Sequence, residues 1–215
     1  MSGAGCCGVA DVFDDAKARA DLDEYRRRGP SDSTARLLGA LRDREEKFDT
    51  LLDVGGGVGA IAHELLESGV SRATLIDGSA SYLAAARQES MRRVTTDRLD
   101  VRAGDFVEIA ADVDTADIVT LDKVVCCYED MHTLLAISAA RTRRLYGIVY
   151  PRDSWWVRIF IAAENAVRRW KGGTFTGFVH ASSAIDAALR SAGLALRSET
   201  RGAWWVVAVY QRVSG

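Results

Sequence analysis

The sequence predicts an α/β protein with a mostly parallel sheet that ends in an antiparallel hairpin. Short apolar runs alternate with segments of helical periodicity as far as Pro151, which favours parallel strands with helices on both faces. A glycine-rich turn joins the first of these strands to the helix after it. Near the end of the chain, two strand-like runs are joined only by Arg201, Gly202 and Ala203. Such a link is too short for a parallel crossover, so we predict a hairpin.

The order of the elements follows from the apolar runs and from the residues that end helices. Glycine ends helices and proline cannot continue one, so Gly29, Pro30, Gly69 and Gly193 mark predicted helix ends. Predicted strands cover residues 50–54, 73–76, 99–103, 118–121, 145–150, 194–200 and 204–211. Predicted helices cover residues 11–28, 57–68, 79–93, 154–170 and 183–192, with two more around Leu37–Leu41 and Met131–Ser138.

Length and composition fit a globular domain with, at most, a small extension. The chain has 215 residues, of which 48% are hydrophobic and 27% are charged, a balance that disordered and fibrous chains do not have. The net charge of −2 disfavours a basic nucleic-acid-binding protein, so we predict no nucleic-acid partner. No run approaches the roughly 20 apolar residues of a membrane span, and the first residues lack the pattern of a signal peptide.

The four cysteines form two adjacent pairs, Cys6–Cys7 and Cys126–Cys127. Neither pair has the C-x-x-C spacing of a zinc site, and adjacent pairs do not make a secreted disulfide framework. We therefore predict no bound metal and a reduced, cytoplasmic protein. At Cys126–Cys127 a reactive thiol or a metal ligand stays open as an alternative, although buried cysteines more commonly serve as small apolar residues.

The most informative motif is the run from Asp53 to Gly59, which reads Asp-Val-Gly-Gly-Gly-Val-Gly between a predicted strand and helix. Glycines let a ligand approach the backbone closely, beside the N–H groups that begin the helix. Gly55, Gly57 and Ala60 also satisfy the dinucleotide fingerprint G-x-G-x-x-G/A, so an NAD(P)-dependent oxidoreductase is an alternative. Asp53 argues against it, because a carboxylate there would repel a pyrophosphate and attract a cation.

The run resembles the first motif of the class I S-adenosylmethionine-dependent methyltransferases, an acid-x-Gly-x-Gly-x-Gly pattern that Asp53, Gly55, Gly57 and Gly59 match. The resemblance implies a transferase of the EC 2.1.1 class with S-adenosyl-L-methionine as its cofactor. It also implies a Rossmann-like methyltransferase fold, with a mostly parallel seven-stranded sheet, helices on both faces and a C-terminal antiparallel hairpin.

The resemblance extends to the ends of the following strands. Asp77, about 20 residues after Gly57, stands where an acid can accept both hydroxyls of a ribose. Tyr82, Asp105 and Phe106 stand where the family surrounds the adenine, and Asp122 where it faces the methionine portion. The cofactor-binding residues that we predict are Asp53, Gly55, Gly57, Gly59, Asp77, Gly78, Ser79, Tyr82, Asp105, Phe106 and Asp122.

The segments outside this core are similar to magnesium-protoporphyrin IX O-methyltransferases. The similar stretches are residues 23–29, 143–145 and 178–180. That family places an N-terminal tyrosine and a histidine after the fourth strand at its active site. Tyr25 matches the tyrosine, whereas the stretch from Asp122 to Tyr128 has cysteine where the family has histidine. We therefore expect this protein to be related to that family, and we do not predict that it methylates a porphyrin.

The acceptor-side residues are predicted from side chains that can bind or deprotonate a nucleophile. Tyr25, Tyr128, His132 and His180 are the predicted catalytic residues, with His132 about one helical turn beyond the cysteines. We predict methyl transfer to a small-molecule acceptor, through oxygen. A non-catalytic S-adenosylmethionine-binding protein is the second alternative.

The segment from Pro151 to Phe160 is unusually aromatic, and three interpretations of it stay open. It forms a lid over a large hydrophobic acceptor, or a surface in peripheral contact with a membrane, or a helix whose Trp155 or Trp156 fills the core. Trp204 and Trp205 are expected in the core. We expect residues 1–47 to be a helical extension that caps the site and residues 48–215 to be the methyltransferase domain, with 151–181 as a substrate-side insertion. The oligomeric state stays open.

Overall fold

One seven-stranded sheet organises the part of the chain that the computed structural model describes, residues 12, 14–42 and 47–213. Its strands are β1 (Thr50–Val54), β2 (Arg72–Asp77), β3 (Leu99–Ala103), β4 (Ala116–Asp122), β5 (Thr142–Pro151), β6 (Leu194–Arg201) and β7 (Trp205–Arg212). Across the sheet they follow the order β3-β2-β1-β4-β5-β7-β6. β1 to β5 pair in parallel, whereas β7 pairs antiparallel with both β5 and β6. The predicted Rossmann-like methyltransferase fold with its terminal hairpin is confirmed.

The described α-helices are α1 (Asp15–Arg28), α2 (Asp32–Leu41), α3 (Ala60–Glu67), α4 (Ala80–Arg92), α5 (Phe106–Ile109), α6 (Met131–Ala140), α7 (Trp155–Trp170) and α8 (Ser182–Ser191). Those from α3 to α6 connect consecutive parallel strands, and of these four only the short α5 was not predicted. Gly29 ends α1 in a conformation of positive φ that costs glycine little. Asp11 and Phe13, which were predicted in the first helix, and the Cys6–Cys7 pair lie outside the described residues. None of the described helices is long and apolar enough to cross a membrane.

The hydrophobic core lies on both faces of the sheet, because side chains alternate along each strand. On β5, Tyr146, Ile148 and Tyr150 join the cluster under α6 and α8, whereas Leu145 and Val149 join the cluster under α2, α3 and α4. All five side chains are almost completely buried. A strand that is covered on both faces has a continuous apolar sequence, and for this reason the apolar run of β5 predicted the strand.

The two N-terminal helices pack differently. α2 contributes Leu37, Leu38 and Leu41 to the same core cluster as Leu51 of β1. α1 instead forms a small separate cluster with α4, in which Leu22 and Tyr25 are buried. The predicted division of the chain into an extension of residues 1–47 and a domain of residues 48–215 stays a prediction.

The expectation that tryptophans of the aromatic segment fill the core is wrong for Trp155, which is 74% exposed. It is also wrong for Trp204, which is 43% exposed and packs on the half-buried Trp156. The reason lies in the orientation of α7. The helix faces the protein with the side that contains Val157 and Asn165, and the amide of Asn165 both donates to and accepts from the backbone of Gly177.

Candidate functional site

A cavity of about 1200 Å³ lies at the carboxyl ends of β1, β2 and β4. The order of the sheet reverses between β1 and β4, and ligands of open α/β sheets bind at such a switch point. A single small ligand usually occupies a pocket of about 300–1,000 Å³. The cavity is therefore large enough for a cofactor together with a second small molecule.

The glycine turn between β1 and α3 forms one wall of this cavity. Gly55, Gly57 and Gly59 all have positive φ, at 63°, 56° and 82°. A Cβ atom on Gly55 would stand 2.5 Å from Cγ2 of Val124, so both the conformation and the space require glycine. The turn leads directly into α3, whose first backbone N–H groups begin beside the cavity.

Asp77, the last residue of β2, connects two backbone segments of the cavity wall. Its Oδ2 accepts from the N–H of Gly57 at 2.9 Å, and its Oδ1 accepts from the N–H of Ser79 at 2.8 Å. Burial raises the pKa of Asp77, and these two hydrogen bonds oppose the rise. Each carboxylate oxygen keeps a second lone pair, so Asp77 can also accept from a ligand hydroxyl.

Two buried carboxylate oxygens have no hydrogen-bond partner among the described residues, and both belong to residues that line the cavity. They are Oδ2 of Asp53, at the end of β1, and Oδ1 of Asp122, at the end of β4. The other oxygen of Asp53 accepts from Thr120 at 2.7 Å. Burial raises the pKa of Asp53 to about 7, and the neighbouring Asp122 and Asp77 add to the rise. Nζ of Lys123 lies 3.7 Å from Oδ1 of Asp122, as an ion pair beyond hydrogen-bond distance, whereas Oδ2 of Asp53 has neither a donor nor a cation among the described residues. The buried oxygen of Asp53 is costly unless a donor or a cation occupies the adjoining space.

The far side of the cavity is formed by residues that follow β3 and by α4. Asp105 caps α5 by accepting from the N–H of Val107 at 2.9 Å, and the same oxygen accepts from the hydroxyl of Tyr128 at 2.6 Å. Phe106 is buried beside it. Tyr82 lines the cavity with its ring, while its hydroxyl donates to Asp21 of α1.

Most of the predicted cofactor-binding residues come together in this cavity. The lining residues among them are Asp53, Gly55, Gly57, Asp77, Gly78, Tyr82, Asp105, Phe106 and Asp122. Gly59 and Ser79 stand just behind the lining, as the N-cap residues of α3 and α4.

The four predicted catalytic residues do not come together. Tyr25 and Tyr128 line the cavity. The hydroxyl of Tyr25 donates to Glu64 at 3.0 Å, and burial holds its pKa well above the usual value. His132 is exposed on α6, outside the cavity lining. His180 also lies outside the lining, and its Nε2 is within 2.8 Å of the carbonyl oxygen of Tyr128.

Sequence reasoning did not identify Thr34 and Lys123, which also line the cavity. Thr34 donates to Oδ2 of Asp122 at 2.5 Å. Lys123 has a positive φ of 63°, which is uncommon for a residue other than glycine, and its Nζ donates to Ser31 at 2.9 Å. The position of Lys123 directly after Asp122 is a signal that could have identified it, whereas nothing local marks Thr34.

Cys126 and Cys127 also line the cavity, in the turn that follows β4. Each has its Sγ near the carbonyl oxygen of Lys123, at 3.2 Å and 3.8 Å. Across residues 12, 14–42 and 47–213 there is no group of three or more histidine, cysteine or acidic side chains that could hold a metal ion.

The fold that carries this cavity is also found in solved structures of other proteins. No curated protein sequence matches the chain. A magnesium protoporphyrin IX methyltransferase from Synechocystis PCC 6803, solved with bound SAH, has a TM-score of 0.69 at 14% identity, with 94% of this chain and 99% of that chain covered. An O-methyltransferase family protein from Burkholderia thailandensis has a TM-score of 0.74 at 18% identity, and the match covers 96% of this chain but 63% of that one.

A geranyl diphosphate C-methyltransferase from Streptomyces coelicolor A3(2) is also similar, with a TM-score of 0.68 at 14% identity over 93% of this chain and 84% of that chain. At these identities the structural similarity establishes the fold. Residues 52–144 match the family model described as a methyltransferase domain. This range begins in β1 and ends in β5, so it contains the glycine turn, Asp77, Asp105 and Asp122. The chain therefore has a Rossmann-like methyltransferase fold, and the part of it that matches the methyltransferase-domain model is residues 52–144.

Proposed function

We propose that this protein transfers a methyl group from S-adenosyl-L-methionine to a small-molecule acceptor, with oxygen as the acceptor atom. The observation that carries the proposal is the pair of buried carboxylate oxygens, Oδ2 of Asp53 and Oδ1 of Asp122, that have no hydrogen-bond partner among the described residues. Both residues line the cavity beside a glycine turn.

The charge of these two residues distinguishes between the cofactors that a glycine turn can accept. S-adenosylmethionine carries an ammonium and a sulfonium group, and both cations suit a wall with two carboxylates, of which Asp122 is ion-paired with Lys123 at 3.7 Å and Asp53 has no cation beside it. A nicotinamide dinucleotide would bring a doubly negative pyrophosphate to the same turn. Its repulsion by Asp53 and Asp122 favours the methyltransferase over the oxidoreductase alternative.

The residues of the cavity suggest how the cofactor is held. We assign the methionine portion to Asp53, Asp122 and the glycine turn, and the ribose hydroxyls to Asp77, which keeps lone pairs beside its two backbone bonds. Tyr82, Asp105 and Phe106 are assigned to the adenine. When bound, the cofactor supplies an activated methyl group, so that much of the catalysis is the positioning of the acceptor.

The remaining part of the cavity would hold the acceptor. Its lining includes the apolar side chains Ile161, Phe175 and Trp205 and the cation Arg168. The guanidinium of Arg168 lies over the ring of Phe175, 5.3 Å from the ring centroid. This combination suits a small molecule with an apolar body and an oxygen-bearing polar end. Among the four predicted catalytic residues, Tyr128 is the one that we assign to the acceptor, because it lines the cavity and also contacts Asp105.

The N-terminal helix α1 contributes Lys17, Asp21, Glu24, Tyr25 and Arg28 to the cavity lining. We therefore propose that it acts as the cap expected of the N-terminal extension and shields the reacting groups from water. A cytoplasmic location also remains part of the proposal, and the adjacent cysteine pairs support it.

A transfer assay with methyl-labelled S-adenosylmethionine tests the proposal. Aromatic carboxylic acids, phenols and carbon nucleophiles would be offered as separate acceptor pools, and the labelled product would be identified by mass spectrometry. We expect protein-dependent label in a carboxylic acid or a phenol. Label in the carbon pool alone would contradict oxygen as the acceptor atom, and failure to bind the cofactor would contradict the whole proposal.

A further inference from the structure

The helix α7 turns its apolar side away from the protein. All of its residues are described, and Val157 is the single buried one. Trp155, Ile159 and Trp170 are 74%, 61% and 84% exposed. They recur at the spacing that places residues on one side of a helix. Phe160 and Val167 extend this side and are 47% and 51% exposed. We call these five residues the outer face of α7.

Polar contacts fix the opposite side of α7 to the protein, so the orientation of the helix is determined. The amide of Asn165 donates to the carbonyl oxygen of Gly177 at 2.8 Å and accepts from its N–H at 2.9 Å. Arg168 lies over the ring of Phe175, 5.3 Å from its centroid. A rotation of the helix that buried the outer face would break these contacts. The outer face is therefore left uncovered by residues 12, 14–42 and 47–213, and an exposed apolar surface of this kind marks an interaction site.

The charge around the outer face indicates what binds there. Residues 152–171 contain five basic and two acidic side chains, a net charge of +3 in a chain whose total is −2. A second copy of the chain would bring the same positive charge against this surface, which opposes self-association. An anionic lipid surface would complement it, and tryptophan at the ends of an apolar strip is typical of the membrane–water interface.

We propose that the outer face of α7, together with Trp204, binds the surface of a membrane that contains anionic lipids. Trp204 extends the apolar area because it packs edge-on against Phe160, with ring centroids 4.9 Å apart. Arg169 and Lys171 are exposed at the end of the helix and face the lipid phosphates. The binding is peripheral and reversible.

The position of α7 relates this surface to the cavity. Ile161, Glu164 and Arg168 of the same helix line the cavity. The lipid surface and the cavity would thus lie on two sides of one helix, about 10 Å apart. A protein bound to the membrane through α7 can receive an apolar acceptor directly from the lipid, so that the acceptor does not pass through bulk water. Binding to the membrane itself does not depend on methyl transfer.

Vesicle sedimentation of the full chain tests the proposal. The vesicles contain phosphatidylcholine alone or phosphatidylcholine with phosphatidylglycerol. The first variant replaces three exposed residues of the outer face, Trp155→Gln, Ile159→Gln and Trp170→Gln, none of which lines the cavity. The matched control is Met91→Gln, because Met91 is 63% exposed on α4, which packs beside β3. A charge variant combines Arg169→Gln with Lys171→Gln.

We expect the wild type and the Met91→Gln control to bind the anionic vesicles, and binding to weaken with salt. The triple variant should bind at least about tenfold more weakly, because it removes the apolar area that enters the lipid. The charge variant should lose its preference for anionic over neutral vesicles. Four of the five tryptophans, Trp155, Trp156, Trp170 and Trp204, lie in or beside this surface, so the intrinsic fluorescence should shift to the blue when vesicles are added.

Binding of S-adenosylhomocysteine, measured on each variant, shows whether the variant is folded and is independent of the vesicle result. Equal vesicle binding by the triple variant and the wild type would overturn the proposal. So would wild-type protein that fails to bind anionic vesicles. A dimer in sedimentation equilibrium that the triple variant abolishes would overturn it in favour of a second copy of the chain.

Discussion

Thr34 and Asp122 are 88 positions apart in the chain, and the hydroxyl of Thr34 donates to Oδ2 of Asp122 at 2.5 Å. The bond joins α2, near the start of the described chain, to the carboxyl end of β4. Ser31 supports it by a hydroxyl contact of 2.8 Å with Thr34. One oxygen of Asp122 is thereby held in place, while the other is left without a hydrogen-bond partner in the described part of the chain. The N-terminal helices thus help to shape the wall of the cavity.

Replacing Thr34 by valine should weaken both the fold and the site. The valine keeps the shape but removes the hydroxyl that donates to Oδ2 of the half-buried Asp122, which costs about 1–3 kcal/mol. We expect the free energy of unfolding to fall by that amount in urea titrations. The Thr34→Ser variant keeps the hydroxyl and serves as the control. A Thr34→Val variant as stable as the wild type, together with a loss in Thr34→Ser, would show that the methyl group, rather than the hydrogen bond, stabilises this contact.

Cofactor affinity should depend on pH through Asp53. Its pKa is raised to about 7, and a cationic ligand favours the ionised form. The affinity for S-adenosylhomocysteine, whose ammonium stays charged in this range, should therefore decrease by up to about tenfold per pH unit below pH 7. Calorimetric titrations between about pH 5 and pH 8 would measure this dependence. A dissociation constant that is flat with pH would contradict the role of Asp53.

The same raised pKa has the opposite effect on the stability of the ligand-free protein. In the unfolded chain Asp53 titrates near its usual 3.8, so between about pH 4 and pH 7 the folded state binds more protons. The stability that Asp53 contributes is therefore lost as the pH rises through 7. We expect Asp53→Asn to raise the free energy of unfolding at alkaline pH by on the order of 2 kcal/mol while it weakens cofactor binding. A variant that is both less stable and unchanged in affinity would refute this account.

A single methyl group in the glycine turn should abolish cofactor binding. In Gly55→Ala the added Cβ would stand 2.5 Å from Val124, and alanine disfavours the φ of 63°. We expect no measurable binding of S-adenosylhomocysteine and a loss of stability of about 1–3 kcal/mol. Gly39→Ala is the matched control, because a Cβ on this helical residue meets nothing within 4 Å and should be neutral or stabilising.

Among the acceptor-side candidates, the structure separates Tyr128 from His132. Tyr128→Phe removes a hydroxyl that contacts Asp105 at the cavity, so we expect turnover to fall by about tenfold or more. His132→Ala should leave both the turnover number and KM unchanged, since His132 is exposed outside the cavity lining. Initial rates with labelled cofactor would measure both variants. A loss of turnover in His132→Ala, with Tyr128→Phe unchanged, would show that His132 rather than Tyr128 is a catalytic residue.

The sequence predicted those parts of the site that are local to one strand end. The glycine turn and Asp77 are encoded within a few residues of their strands, so a motif identifies them. The bond from Thr34 to Asp122 depends on how α2 docks on the sheet, and no spacing pattern contains that information. The orientation of α7 is a similar case: its amphipathic pattern predicts one apolar side. Only contacts such as the pairing of Asn165 with Gly177 determine that this side faces outward.

Calorimetric titration with S-adenosylhomocysteine, with NAD as the parallel ligand, tests the central claim most directly. The account predicts micromolar binding of S-adenosylhomocysteine, no binding of NAD, and loss of binding in Asp77→Ala, which removes the acceptor for the ribose and for the N–H of Gly57. Binding of NAD in place of S-adenosylhomocysteine would contradict the assignment of the cavity, as would undiminished binding by Asp77→Ala.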